Sequence, residues 1–134
     1  MKSRLEAAAW RFSSDRAENA LESRNDFVAA LHRHMAPPVD EFVAKVIYTE
    51  LVTNVIRHAP GPIQILLERE GAEHWLRVCD RGAPFEWRSA LPDNPCSEGG
   101  RGMFLISQYS QEVVIERPTG GGNVVRIRLK RPVA

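Results

Sequence analysis

The sequence carries two cysteines, no apolar run long enough to span a membrane, and no surplus of either charge. Each shortage excludes something. Cys79 and Cys96 lack the spacing of a metal motif, and one disulfide would add little to a chain able to build a core, so both are read as free thiols. Without about 20 consecutive apolar residues no spanning helix forms, so no membrane partner is expected. Eighteen Lys+Arg against 17 Asp+Glu leave a formal charge of +1, short of the basic excess that phosphate-backbone binding requires, so no nucleic acid is expected either. The start, Met1-Lys2-Ser3-Arg4-Leu5-Glu6, is basic but has no long apolar core behind it. It does not read as a secretory signal, which makes the cytoplasm the expected compartment.

What is present is 134 residues, 43% hydrophobic and 26% charged, the size and composition of one soluble globular domain over 1–134. A single site then has to explain the function. No internal repeat breaks the alternation of elements. The apolar-rich stretch Leu5 to Phe12 is read as a strand. From Asp15, with Glu18 as a capping-box partner, apolar residues recur with helical spacing at Ala17, Leu21, Val28, Leu31 and Met35 until Pro37-Pro38. A second helix is predicted from Val39 to His58, stopped by Pro60-Gly61-Pro62. Ile63 to Glu68 and Trp75 to Cys79 read as an antiparallel hairpin, Gly102 to Tyr109 as a short helix, and Glu112 to Glu116 and Val124 to Lys130 as two further strands. In the last strand Val125, Ile127 and Leu129 alternate with Arg126, Arg128 and Lys130, one face buried and the other wet. The predicted fold is α+β, a two-layer sandwich with a mixed, mostly antiparallel sheet and helices on one face. Asp80 to Glu98, carrying Gly82, Pro84, Pro92 and Pro95, is long enough for a binding loop or lid.

Three segments carry chemistry. On the second helix Glu50, Asn54 and His58 fall at i, i+4 and i+8, on the face that also carries Val43, Ile47 and Leu51. Polar groups turned inward cost roughly 1–3 kcal/mol each if unpaired, so either the protein or a ligand and metal must satisfy them. Next, Asp80-Arg81-Gly82-Ala83-Pro84-Phe85 puts a carboxylate at a strand end. An ionised Asp accepts and does not donate, which suits an exocyclic amine such as adenine's, and Gly82 lets a flat ring approach the backbone, although Asp-x-Gly taken alone is an ordinary turn. Third, Glu98-Gly99-Gly100-Arg101-Gly102 leads directly into the apolar run Met103-Phe104-Leu105-Ile106. Converging backbone N–H groups at a helix start favour anionic oxygens, although glycines alone also make a hinge. The segment lacks both the Walker A ending and the setting of a dinucleotide fingerprint.

In this order and spacing the segments resemble the ATP-binding superfamily of gyrase, sensor histidine kinases and anti-sigma-factor serine kinases, known as GHKL ATPases. Thr49 to Ala59 looks like its N box, Asp80 to Pro84 like its first glycine box and Gly99 to Ile106 like its second. The resemblance covers most of the chain and implies the Bergerat fold. The phrase Asp80 to Phe85, the short loop after it and Gly100 to Ile106 are most similar to the serine-kinase branch of small single-domain proteins. That branch implies a homodimeric anti-sigma factor that phosphorylates a serine of an anti-sigma-factor antagonist with Mg-ATP, switching partners by phosphate.

By position, the resemblance makes Glu50 the general base toward the serine hydroxyl and Asn54 the ligand of Mg²⁺, with Asp80 holding adenine. Backbone N–H groups around Gly100, Arg101 and Gly102 cradle the phosphates, and Arg101 adds charge as the lid closes. Gly82, Gly99, Met103 and Asn123 complete the nucleotide-contacting set. Asn123 stands where many relatives have Thr. His58 either steadies the nucleotide or caps its helix. Two other readings stay open: a nucleotide-dependent module that sequesters a sigma factor or another regulator without phosphoryl transfer, and a metal-dependent hydrolase using Glu50, His58 and Asp80. His32 and His34 are read as surface residues, and Trp10, Trp75 and Trp87 as core or rim.

Overall fold

The structure is a computed structural model that describes residues 4–15, 17–34, 38–59, 61–84, 87 and 101–132. Met35, Pro37, Cys96, Gly99, Gly100 and most of the expected lid lie outside the described residues, as do the side chains of Ala17, Leu21, His58 and Arg101. Strand β1 spans Arg4–Ser13, helices α1 and α2 span Ala17–His34 and Glu41–His58, and strands β2 and β3 span Pro62–Glu70 and Glu73–Asp80. Helix α3 follows at Arg101–Tyr109, then β4 at Glu112–Glu116 and β5 at Asn123–Arg128.

Local chemistry sets these limits. Asp40 caps α2, its carboxylate accepting from the Val43 N–H at 3.1 Å, and Glu41 adds negative charge to the first turn. In α1 the charges run the favourable way, Glu18 at the start and His32, Arg33 and His34 at the end. His32 is exposed as expected, but His34 is only half-exposed. The β2–β3 hairpin turns on Gly71, which at φ 62° adopts a conformation that costs glycine nothing.

The sheet order is β1-β2-β3-β5-β4, and each of the four ladders is antiparallel. The parallel component admitted by the sequence reading is therefore absent among the described residues. The α+β two-layer architecture stands, with the helices on one face. Alternate strand residues meet them there: Ile63, Ile65 and Leu67 of β2, Leu76 and Val78 of β3, and Val125 and Ile127 of β5 are all 0% exposed. From the helices come Phe27, Ile47, Tyr48 and Leu51, with Phe27 and Tyr48 stacked at 4.3 Å. Trp10 of β1 and Trp87 pack against this core.

Among the described residues no helix covers the other sheet face, but it is less wet than the alternation predicts. Arg126 is buried beside equally buried Glu68 and Trp75. Its guanidinium lies 4.3 Å above the Trp75 ring and 3.3 Å from Glu70 Oε2, while Arg77 Nε lies 3.1 Å from Glu68 Oε1. Long charged side chains thus lie down along the strands and cover one another's stems.

Candidate functional site

The register of β3 against β5 makes Asp80 and Asn123 the last pair of their ladder. Both side chains fall on the helix-facing side, in line with Val78 and Val125, and both are buried, at 7% and 1% exposed. Asp80 Oδ1 accepts from the Gly82 N–H at 2.8 Å, an Asx turn that bends the chain out of the strand. It also accepts from Asn123 Nδ2 at 2.9 Å. The same Nδ2 donates to the carbonyls of Ala83 at 3.0 Å and Gly82 at 3.5 Å. Asp80 Oδ2 has no hydrogen-bond partner among the described residues. Asn123 Oδ1 is buried without one, a cost of about 1–3 kcal/mol.

Two glycines make this packing possible, for different reasons. A Cβ on Gly82 would stand 2.9 Å from Ala59 Cβ, so the bare backbone lets the turn close on the end of α2. The space that the sequence reading reserved for a ring is on this side taken by Ala59, the C-cap of α2. Gly122 has φ +83°, and a Cβ there would stand 2.2 Å from the Asp80 carbonyl oxygen. The β4–β5 connection therefore lies directly on the end of β3. The sequence analysis overlooked Gly122 and Ala59. The run Gly120-Gly121-Gly122 was the signal for the first, and nothing local signals the second. The end of α2 is held further by Ser14, whose Oγ donates to the Ala59 carbonyl at 2.9 Å.

From that anchored end α2 leads away past the other predicted residues. At a rise of about 1.5 Å per residue, Asn54 lies about 7.5 Å and Glu50 about 13.5 Å along the axis from Ala59. Both are half-buried, and neither side chain has a hydrogen-bond partner among the described residues. His58 is the last residue of α2. Helix α3 packs against α2 and begins at Arg101 and Gly102. Met103, 8% exposed, sits in its first turn. The structure thus joins Asp80, Gly82 and Asn123 in one hydrogen-bonded cluster and brings it against the end of the helix that bears Glu50 and Asn54.

A cavity of about 320 Å³ opens beside this cluster, and Asp80 and Asn123 line it together with Arg11, Gln64, Cys79 and Arg81. Burial pushes the Cys79 thiol up from its ordinary pKa, so the free cysteine is a poor nucleophile. Among the described residues no group of His, Cys, Asp or Glu side chains is arranged to hold a metal ion.

An antiparallel sheet under helices, with a buried acceptor carboxylate at a strand end, defines a two-layer α+β domain. Residues 12–129 match the histidine kinase-like ATPase domain, and the chain belongs to that family, within the GHKL superfamily. Among solved structures it is similar to the histidine kinase AdeS of Acinetobacter baumannii, with TM-score 0.53 and 14% identity over 96% of this chain and 70% of that one, a likeness of fold. No curated protein matches the sequence. Membership implies ATP, typically with Mg²⁺, and the residues fit it. Asp80 Oδ2, without a hydrogen-bond partner among the described residues, suits an exocyclic amine, Asn54 offers a neutral oxygen of the kind Mg²⁺ takes, and the start of α3 suits phosphate oxygens. No described helix is long and apolar enough to cross a membrane.

Proposed function

We propose that this chain is a cytoplasmic single-domain anti-sigma factor and protein serine kinase, acting as a homodimer, that uses Mg-ATP to phosphorylate an anti-sigma-factor antagonist. The observation that carries the reading is the Glu50–Asn54 pair. The two lie one turn apart on α2, half-buried and without hydrogen-bond partners among the described residues, on the helix whose end packs against the Asp80 turn. ATP supplies the transferable phosphoryl group and Mg²⁺ its charge neutralisation. The base end of the nucleotide belongs at Asp80 and the phosphates toward Asn54 and the start of α3, with the N–H groups around Gly100, Arg101 and Gly102 as their cradle. Glu50, the farthest from Asp80, then stands where an incoming serine hydroxyl needs a proton acceptor.

Incubation of the protein with γ-labelled ATP, Mg²⁺ and extract of the source cells tests this, with labelled sites mapped by mass spectrometry. Serine phosphate on a sigma-factor antagonist, lost in Glu50→Ala, is expected. ATP binding with no serine phosphate, and Glu50→Ala equal to wild type, would instead leave a nucleotide-dependent sequestering module.

A further inference from the structure

We infer that Asn123 is the positioning residue of the base end of the site: it acts through Asp80 and does not itself touch the nucleotide. The inference rests on the ATP reading above and assigns this residue a role different from the direct base contact that the sequence suggests.

The geometry carries it. Asn123 is 1% exposed; the residue lines the cavity beside Asp80, but its Oδ1 is buried and its Nδ2 is engaged by protein acceptors. Its Nδ2 reaches Asp80 Oδ1 at 2.9 Å and Ala83 O at 3.0 Å, with Gly82 O at 3.5 Å. All three partners are acceptors, so the amide has one workable orientation. Turning it over would set Oδ1 against a carboxylate and two carbonyls and would lose every bond. Its Oδ1 is left buried and unpartnered as a result. The side chain gives up its acceptor to keep its donor where it is.

Two consequences follow for Asp80. One carboxylate oxygen is held by the Gly82 N–H and by Asn123, so the rotation of the carboxylate is fixed, and Oδ2 is the oxygen without a partner among the described residues. In addition, the bonds to Gly82 O and Ala83 O tie the first residues beyond β3 to β5. The turn that presents Asp80 is therefore held from two strands. A shorter hydroxyl side chain at 123 can reach one such acceptor and cannot bridge carboxylate and loop together.

The test is a double-mutant cycle on the pair, read by thermal unfolding of the apo protein and by calorimetric titration with ADP. Asn123→Asp is nearly isosteric and sets a second carboxylate against Asp80, so it lowers the unfolding midpoint. Combining it with Asp80→Asn restores an amide–carboxylate pair and recovers the midpoint. ADP binding weakens about ten- to a hundredfold in Asn123→Ala and in Asn123→Asp, the range for a lost hydrogen bond to a charged group. Binding is not recovered in the double variant, whose carboxylate then lies at the buried position.

Wild-type affinity in both Asn123 variants, with binding lost in Asp80→Asn, would overturn the positioning role and leave ATP binding intact. Recovery of ADP binding in the double variant would also overturn it, since the amide and carboxylate would then be interchangeable. A wild-type chain that ignores ADP would remove the ATP reading and this inference together.

Discussion

Gly122 and Gly82 show how closely the site is packed at the scale of single residues. Gly122→Ala combines a positive φ with a Cβ 2.2 Å from the Asp80 carbonyl oxygen, so the β4–β5 connection must lift away from β3. We expect a loss of about 1–3 kcal/mol in urea unfolding, together with weaker ADP binding, because Asn123 moves with that connection. Alanine at Gly121, where φ is also positive but nothing lies within 4 Å, costs stability without affecting ADP. Legibility at this scale was uneven. Asp80, Glu50 and Asn54 stand out in the sequence as candidates because residue type and spacing suggest their chemistry. The Asp80–Asn123 contact could not, because 43 residues separate the two and only the strand register brings them together.

Among the elements, α2 joins the core to the site, and Tyr48 is its buried polar anchor. The phenol accepts from Trp10 Nε1 at 3.1 Å and is hydrogen-bonded to Ser23, tying α2 to β1 and α1. Burial pushes its pKa up from 10.0 to about 12. A group raised in the folded state stabilises fully below its unfolded pKa and loses that contribution as pH rises toward the folded one. Tyr48→Phe leaves the Trp10 and Ser23 groups short of a partner and should cost about 1–3 kcal/mol at neutral pH. Wild type should lose stability relative to that variant as pH is raised from about 10 to about 12, and parallel curves over that range would contradict the assignment.

On the uncovered sheet face, Glu68→Ala leaves Arg77 and Arg126 without their shared carboxylate and should cost about 3 kcal/mol in urea unfolding. Element order was readable throughout, since periodicity and the proline and glycine breaks are local. The wet face was misjudged, because alternation reveals which way a side chain points and not that Arg126 lies flat on Trp75.

For the whole molecule, the fold supplies a frame at the end of the sheet and leaves polar groups of α2 without hydrogen-bond partners among the described residues. A ligand that satisfies them binds the folded chain alone and stabilises it by mass action, by about 2.7 kcal/mol at a hundred times its Kd. Composition could exclude nucleic acid and a membrane span as expectations, and motif order could point to the superfamily, but no pattern within one chain names its protein partners. The most direct measurement is thermal unfolding of wild type and Asp80→Asn with saturating Mg-ATP. The account predicts a rise of about 10 °C in the wild-type midpoint, absent in Asp80→Asn although that variant folds. A wild-type midpoint unmoved by ATP, or an equal rise in both proteins, would contradict it.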